Sequence, residues 1–170
     1  FPEGLKLVEV PEPELRAGEA LIRVMYAGIC GTDLAIIKKK YKVPLPRILG
    51  HEFSGFVKEA IGGEHLINRR VVSEINIWCG KCELCRRGLY THCLNRKAIG
   101  ITANGAFATY VKVPLRNIHV LPGSIESDEA VFVEPLAAAI QTFKLAPLRG
   151  GETVVTVSYT HLTLPTTERV

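Results

Sequence analysis

Cys79, Cys82, Cys85 and Cys93 follow one another as C-x2-C-x2-C-x7-C, which places four of the chain's five cysteines within fifteen positions. No other feature constrains the fold as tightly. Two-residue gaps let successive thiolates turn onto one ion, and a fourth thiolate from the following loop closes a tetrahedron with no open position. The spacing predicts a structural zinc site whose ion orders a lobe rich in glycine and charge. Cysteines grouped in this way point to a metal in a reducing compartment, the cytoplasm, and not to a disulfide framework. Lys81, Arg86, Arg87, Arg96 and Lys97 lie around the cluster and partly offset the net negative charge of a tetrathiolate site. An iron–sulfur cluster uses a similar run, but its usual fourth cysteine comes after three residues and precedes proline. Here seven residues intervene and Leu94 follows. His92 is superfluous to four thiolates and is expected at the surface.

The rest of the chain reads as one domain and a little more, at 170 residues of which 47% are hydrophobic. A net charge of +4 is too mild and scattered for nucleic acid. No apolar run approaches the ~18 residues that span a bilayer, so neither nucleic acid nor membrane is an expected partner. The opening Phe1-Pro2-Glu3 has no initiator Met and no signal-peptide profile, so the chain is expected to begin after processing or partway through a longer protein. Short β-like runs at residues 20–25, 53–60, 70–75 and 106–113, with no long helix between them, predict a mainly β, barrel-like module. A helical turn is expected through residues 34–37, closing on Lys38-Lys39-Lys40. After Pro122-Gly123, residues 127–133 read as one or two helical turns. Glu134-Pro135 then begins a stronger helix, since proline suits the first helical position. Leu136, Ile140 and Phe143 give that helix one apolar face, and Pro147 ends it. Residues 153–157 read as a buried strand.

The fifth cysteine stands apart, in Gly28-Ile29-Cys30-Gly31-Thr32-Asp33, and Gly50-His51-Glu52 follows with His51 twenty-one positions after Cys30. A lone Cys or His is most often a packed core residue. The flanking glycines, which permit close backbone approach, and the glutamate beside the histidine point instead to a sulfur–nitrogen–oxygen ligand set with room for substrate, the pattern of catalytic zinc.

These two strings, the four-cysteine lobe, Gly105-Ala106-Phe107-Ala108-Thr109-Tyr110 and Glu134-Pro135-Leu136-Ala137 come in the order found in the zinc-containing medium-chain alcohol dehydrogenases. The chain resembles that superfamily over roughly residues 4–157, with a polyol- and threonine-dehydrogenase-like pattern. The resemblance implies a GroES-like catalytic domain over residues 1–126 lacking its first strand. Residues 127–157 would be the linking helix and the start of a truncated Rossmann domain. It implies a catalytic zinc at Cys30 and His51, with Glu52 ligating directly or alternating with substrate and Glu134 as a second carboxylate. It also implies a structural zinc on Cys79, Cys82, Cys85 and Cys93. Thr32 matches the hydroxyl that relays the substrate proton, and Asp33 a supporting or helix-capping position. The implied reaction is oxidation of a small-molecule alcohol, a polyol or other secondary alcohol, to a carbonyl. Zinc acts as the Lewis acid and NAD or NADP takes the hydride, in an intact parent that is a homo-oligomer.

The sequence departs from the family after residue 157. The expected G-x-G-x-x-G turn is replaced by Ser158-Tyr159-Thr160-His161-Leu162, with no glycine after Gly151. Residues 158–170 are therefore expected to be foreign to the family and artefactual, and His161 is not a site candidate. The chain is expected to bind zinc yet not to turn over alcohol alone. The alternative class is a stand-alone structural zinc module that binds a partner without catalysis. Metal stoichiometry separates them: two ions per chain for the enzyme domain, one for the module.

Overall fold

The computed structural model describes residues 4–147 and 149–153. Seven strands and three α-helices follow in chain order: β1 (Glu19–Gly28), α1 (Gly31–Ile37), β2 (Glu52–Ala60), β3 (Arg70–Ser73), β4 (Asn76–Ile77), α2 (Glu83–Arg86), β5 (Lys97–Ala98), β6 (Tyr110–Pro114), β7 (Ile118–Val120) and α3 (Val133–Leu145). Five strands form one antiparallel sheet in the order β6-β1-β2-β3-β7, and β4 and β5 form a separate pair.

The sheet has to curl. Its edge strands β6 and β7 would lie about 19 Å apart if five strands were laid flat. Yet only a 3-10 turn, Leu115–Asn117, joins them, and such a turn advances only about 2 Å per residue. Alternation supplies the inside of the curl. Ala20 and Ile22 on β1 face Val113 and Val111 on β6 in register, and all four are buried. Phe53, Val57, Ala60, Val71, Ile99 and Ala106 complete this core. Burial of these aliphatic faces, at about 25 cal/mol per Å² of apolar surface, is what holds the curled sheet shut.

Several expected elements shift when tertiary pairing is imposed. β1 runs on to Gly28 because β2 pairs with it to that point. The run expected at residues 70–75 is regular strand only over β3 and stops at Ser73; beyond it Asn117, fully buried, binds the carbonyls of Glu74 and Asn76 through its side-chain amide at 2.8 and 2.9 Å, and β4 begins at Asn76. The run expected at 106–113 becomes regular strand only from Tyr110. Residues 105–107 instead cross the segment before His51, with Gly105 N–H donating to Ile48 at 2.8 Å and Phe107 N–H to Leu49 at 2.9 Å. The apolar face of α3 is present but not buried: Leu136, Ile140 and Phe143 are 57%, 47% and 52% exposed. The strand expected at 153–157 lies outside the described residues apart from Thr153, as does the 158–170 tail. Among the described residues no helix is long and apolar enough to cross a membrane.

Candidate metal centres

The pairing of β1 with β2 brings Cys30 to His51. The ladder ends with Gly28 opposite Glu52, so Cys30, two residues past one strand end, and His51, one residue before the other strand's start, emerge at the same place. The Cys30 sulfur, a His51 ring nitrogen and a Glu52 carboxylate oxygen lie within 4.8 Å of one another. Glycine makes room for the carboxylate. A Cβ on Gly28 would stand 2.6 Å from Glu52 Oε2 and 2.9 Å from Val131 Cγ1, close enough that both side chains would have to move. Gly50, at φ +92°, turns the chain into His51 in a left-handed conformation that a side chain resists.

One carboxylate braces both halves of this set. Cys30 is the N-cap of α1, its sulfur accepting from Thr32 N–H at 3.5 Å. Asp33, wholly buried, accepts from Cys30 N–H through Oδ2 at 2.9 Å and from Gly50 N–H through Oδ1 at 3.3 Å. The same Oδ1 lies 3.6 Å from His51 Nδ1, just past hydrogen-bond length, and that nitrogen is buried with no closer partner. Burial acts to lower the His51 pKa, but Asp33 and then Cys30 outweigh it and raise the pKa to about 9. Ligation needs the neutral imidazole, so an ion binding here would have to displace the proton that Asp33 and Cys30 stabilise, and metal binding and proton release are linked at this site. The donor set therefore fits a zinc-type ion: one thiolate, one imidazole and one carboxylate, with a position free for a further ligand.

Thr32 and Glu134 stand beside this set. The Thr32 hydroxyl is 3.7 Å from the Cys30 sulfur. Glu134, half-buried in the first turn of α3, lies outside the 4.8 Å cluster. It nevertheless faces the cluster electrostatically. Burial raises its carboxyl pKa, His51 acts to lower it and Glu52 to raise it.

The four lobe sulfurs of Cys79, Cys82, Cys85 and Cys93 also lie within 4.8 Å of one another. Cys82 caps the single turn of α2, which buries Cys85, and a 3-10 turn at Tyr90–His92 returns the chain to Cys93. Backbone N–H groups of Lys81 and Cys82 pull the Cys79 thiol down to about 6. Cys82 is lowered by the N–H groups of Cys85 and Leu94, while burial pushes Cys85 up to about 12. Such a cluster cannot hold four thiolates without a cation to neutralise them, so metal binding and proton release are one event here. His92 is exposed, as expected. Sequence reasoning left Trp78 and Tyr90 without a role; their rings stack at 4.2 Å, and the Arg116 guanidinium lies 4.2 Å over Trp78 from the barrel side. Arg116 also donates to the Trp78 carbonyl, so a guanidinium–indole–phenol stack fastens the lobe to the barrel.

Sequence reasoning also left the extent of Asp33's role unseen. The signal was available: an aspartate three residues after an N-cap cysteine is a capping-box pattern. Only the fold shows that its second oxygen reaches Gly50 and His51.

A curled antiparallel barrel bearing one four-sulfur set and one sulfur–nitrogen–oxygen set defines a metal-binding domain of the kind on which dehydrogenases build their reaction site. The profile of the alcohol dehydrogenase GroES-like domain matches residues 16–123, and the chain belongs to that family. It is 40% identical over 159 residues to L-threonine 3-dehydrogenase of Pyrococcus horikoshii, an alignment covering 90% of this chain and 46% of that protein. It superposes with a TM-score of 0.78 and 35% identity on a zinc-binding dehydrogenase from Sinorhizobium meliloti 1021 bound to NADP, covering 85% of this chain and 43% of that one. A cobalt- and zinc-bound thermostable alcohol dehydrogenase from Pyrobaculum aerophilum superposes at 0.69 with 35% identity, over 78% of this chain and 41% of that one. The chain thus spans less than half the length of these relatives.

Proposed function

We propose that the intact parent of this chain oxidises a polyol or other secondary alcohol to a carbonyl, with hydride transfer to NAD or NADP, and that these 170 residues supply its metal sites. The observation that carries this reading is the open ligand set, in which Cys30, His51 and Glu52 converge within 4.8 Å. Those three residues would hold a zinc ion, with Glu134 approaching as a second carboxylate. Cys79, Cys82, Cys85 and Cys93 would hold another, closed and structural. Bound zinc supplies Lewis acidity, which makes an alcohol hydroxyl easier to deprotonate at neutral pH. The chain's own groups do the rest. Thr32 is placed to take the substrate proton at its hydroxyl and pass it outward. Asp33 would brace the Cys30 and Gly50 backbone beside His51, and Gly28 keeps space for the Glu52 carboxylate.

The relatives' names support the class. L-threonine, which one of them oxidises, carries its hydroxyl on a secondary carbon, and of two solved neighbours one binds zinc and the other NADP. We assign residues 1–126 to the catalytic domain and 127–157 to the link and the beginning of the cofactor domain, with 158–170 outside the family. A homo-oligomeric, cytoplasmic parent fits this reading.

The test is spectroscopic. With Co2+ in both sites, a secondary alcohol added to the purified chain is expected to shift the visible bands of the open site and leave those of the tetrathiolate unchanged, without NAD- or NADP-dependent turnover. A spectrum indifferent to alcohol, together with a single ion per chain, would favour the stand-alone zinc module.

A further inference from the structure

Glu134 lies in the first turn of α3, a helix of 13 residues none of which is fully buried. The helix is seated at its start, where the 3-10 turn Glu129–Phe132 passes into α3 without a break and Val133 packs against Val72, Leu121 and Ala130. Ala130 packs in a small cluster with Val72 and Leu121, and Val131 lies where a side chain on Gly28 would be. The polar anchor of this segment is Ser54. It is wholly buried, and its hydroxyl donates to the Ser127 carbonyl. Ser54 follows Glu52 by two residues on β2, so one strand carries both a candidate ligand and the anchor of the segment bearing the other carboxylate.

We infer that Ser54 is a positioning residue, whose hydroxyl fastens residues 127–134 to β2 and thereby holds the Glu134 carboxylate against the Cys30, His51 and Glu52 set. This rests on Glu134 serving the open site as proposed above. A small apolar residue would fill the same space without the cost of burying a hydroxyl, so the donor itself is what the position requires. Just ahead of this segment Arg70 donates to the Gly123 carbonyl at 3.2 Å and pairs at 3.5 Å with Glu126, whose carboxylate is 73% exposed. An ion pair that open to water holds little.

The test is a double-mutant cycle on the full chain, with one equivalent of Zn2+ filling the cysteine lobe and Co2+ titrated into the open site, read from the Cys30 thiolate-to-cobalt band. Glu134→Gln is expected to weaken Co2+ binding about tenfold, and Ser54→Ala about three- to tenfold. Ser54→Thr keeps the hydroxyl and should stay within about twofold of the parent chain. In the Glu134→Gln background, Ser54→Ala should add less than about twofold, the signature of one residue acting through the other. Zn2+ retention by the lobe reports folding in every variant. Ser54→Cys, of nearly the same shape but with a weak donor, replaces alanine in the cycle should the alanine variant fold poorly. An equal loss in both backgrounds, or no loss from Ser54→Ala beside a clear loss from Glu134→Gln, overturns the inference and leaves Glu134 in the site. No loss from Glu134→Gln removes Glu134 from the site, and the inference with it.

Discussion

The two ligand sets differ in how the chain assembles them. The lobe draws all four sulfurs from residues 79–93 and needs only a four-residue helix and a 3-10 turn to bring them together. The open set draws on residues 30, 51 and 52 and exists because β1 and β2 pair until Gly28 meets Glu52. Short loops have little entropy to lose on closure, whereas a distant pair depends on everything that fixes the strands between them. The lobe is therefore a local device, which we propose an ion would order. The open set is a product of the barrel, braced by Asp33, which binds the Cys30 and Gly50 amides.

The largest expected effect tests that independence. Cys82→Ser should abolish ion binding at the lobe and expose the amides of residues 78–97 to hydrogen exchange. Co2+ affinity at the open site should stay within about twofold, as for distant sites that share no partner. Loss of both ions would show that the lobe is built into the barrel's stability and the comparison is wrong. Next in size, Asp33→Asn keeps the shape of the brace but removes its charge. Co2+ binding at the open site should weaken about 10- to 100-fold while the lobe keeps its ion, which metal titration of the two sites would measure. The smallest effect concerns the joint between the regions. Arg116→Leu removes the guanidinium from the Trp78 face and should loosen the lobe by about 1 kcal/mol. Trp78 is the chain's one tryptophan, so its fluorescence during chelator-driven metal release reports this directly. Co2+ binding at the open site should not change.

What was legible in the sequence follows the same division. The lobe could be read from spacing alone, because its contacts are close along the chain. Cys30 and His51 could be nominated from their glycine-rich settings, but the strand pairing that joins them is a long-range fact. Gly28 shows the limit: two residues before the cysteine it reads as a loop glycine, and only the register of β1 on β2 shows that a side chain there would strike Glu52. Ser54 reads as an ordinary strand serine until its partner, 73 residues away, is known. The exposed apolar face of α3 is the converse case. Leu136, Ile140 and Phe143 have helical spacing whether or not anything covers them, and periodicity cannot say what does.

The central claim is that this chain holds two ions in two unlike sites, and counting zinc in the purified, reduced protein tests it most directly. Two zinc ions per chain are expected, falling to one in Cys82→Ser, with the lobe site lost, and to one in His51→Ala, with the open site lost. A single ion per chain, lost with Cys82 and indifferent to His51, would contradict that claim.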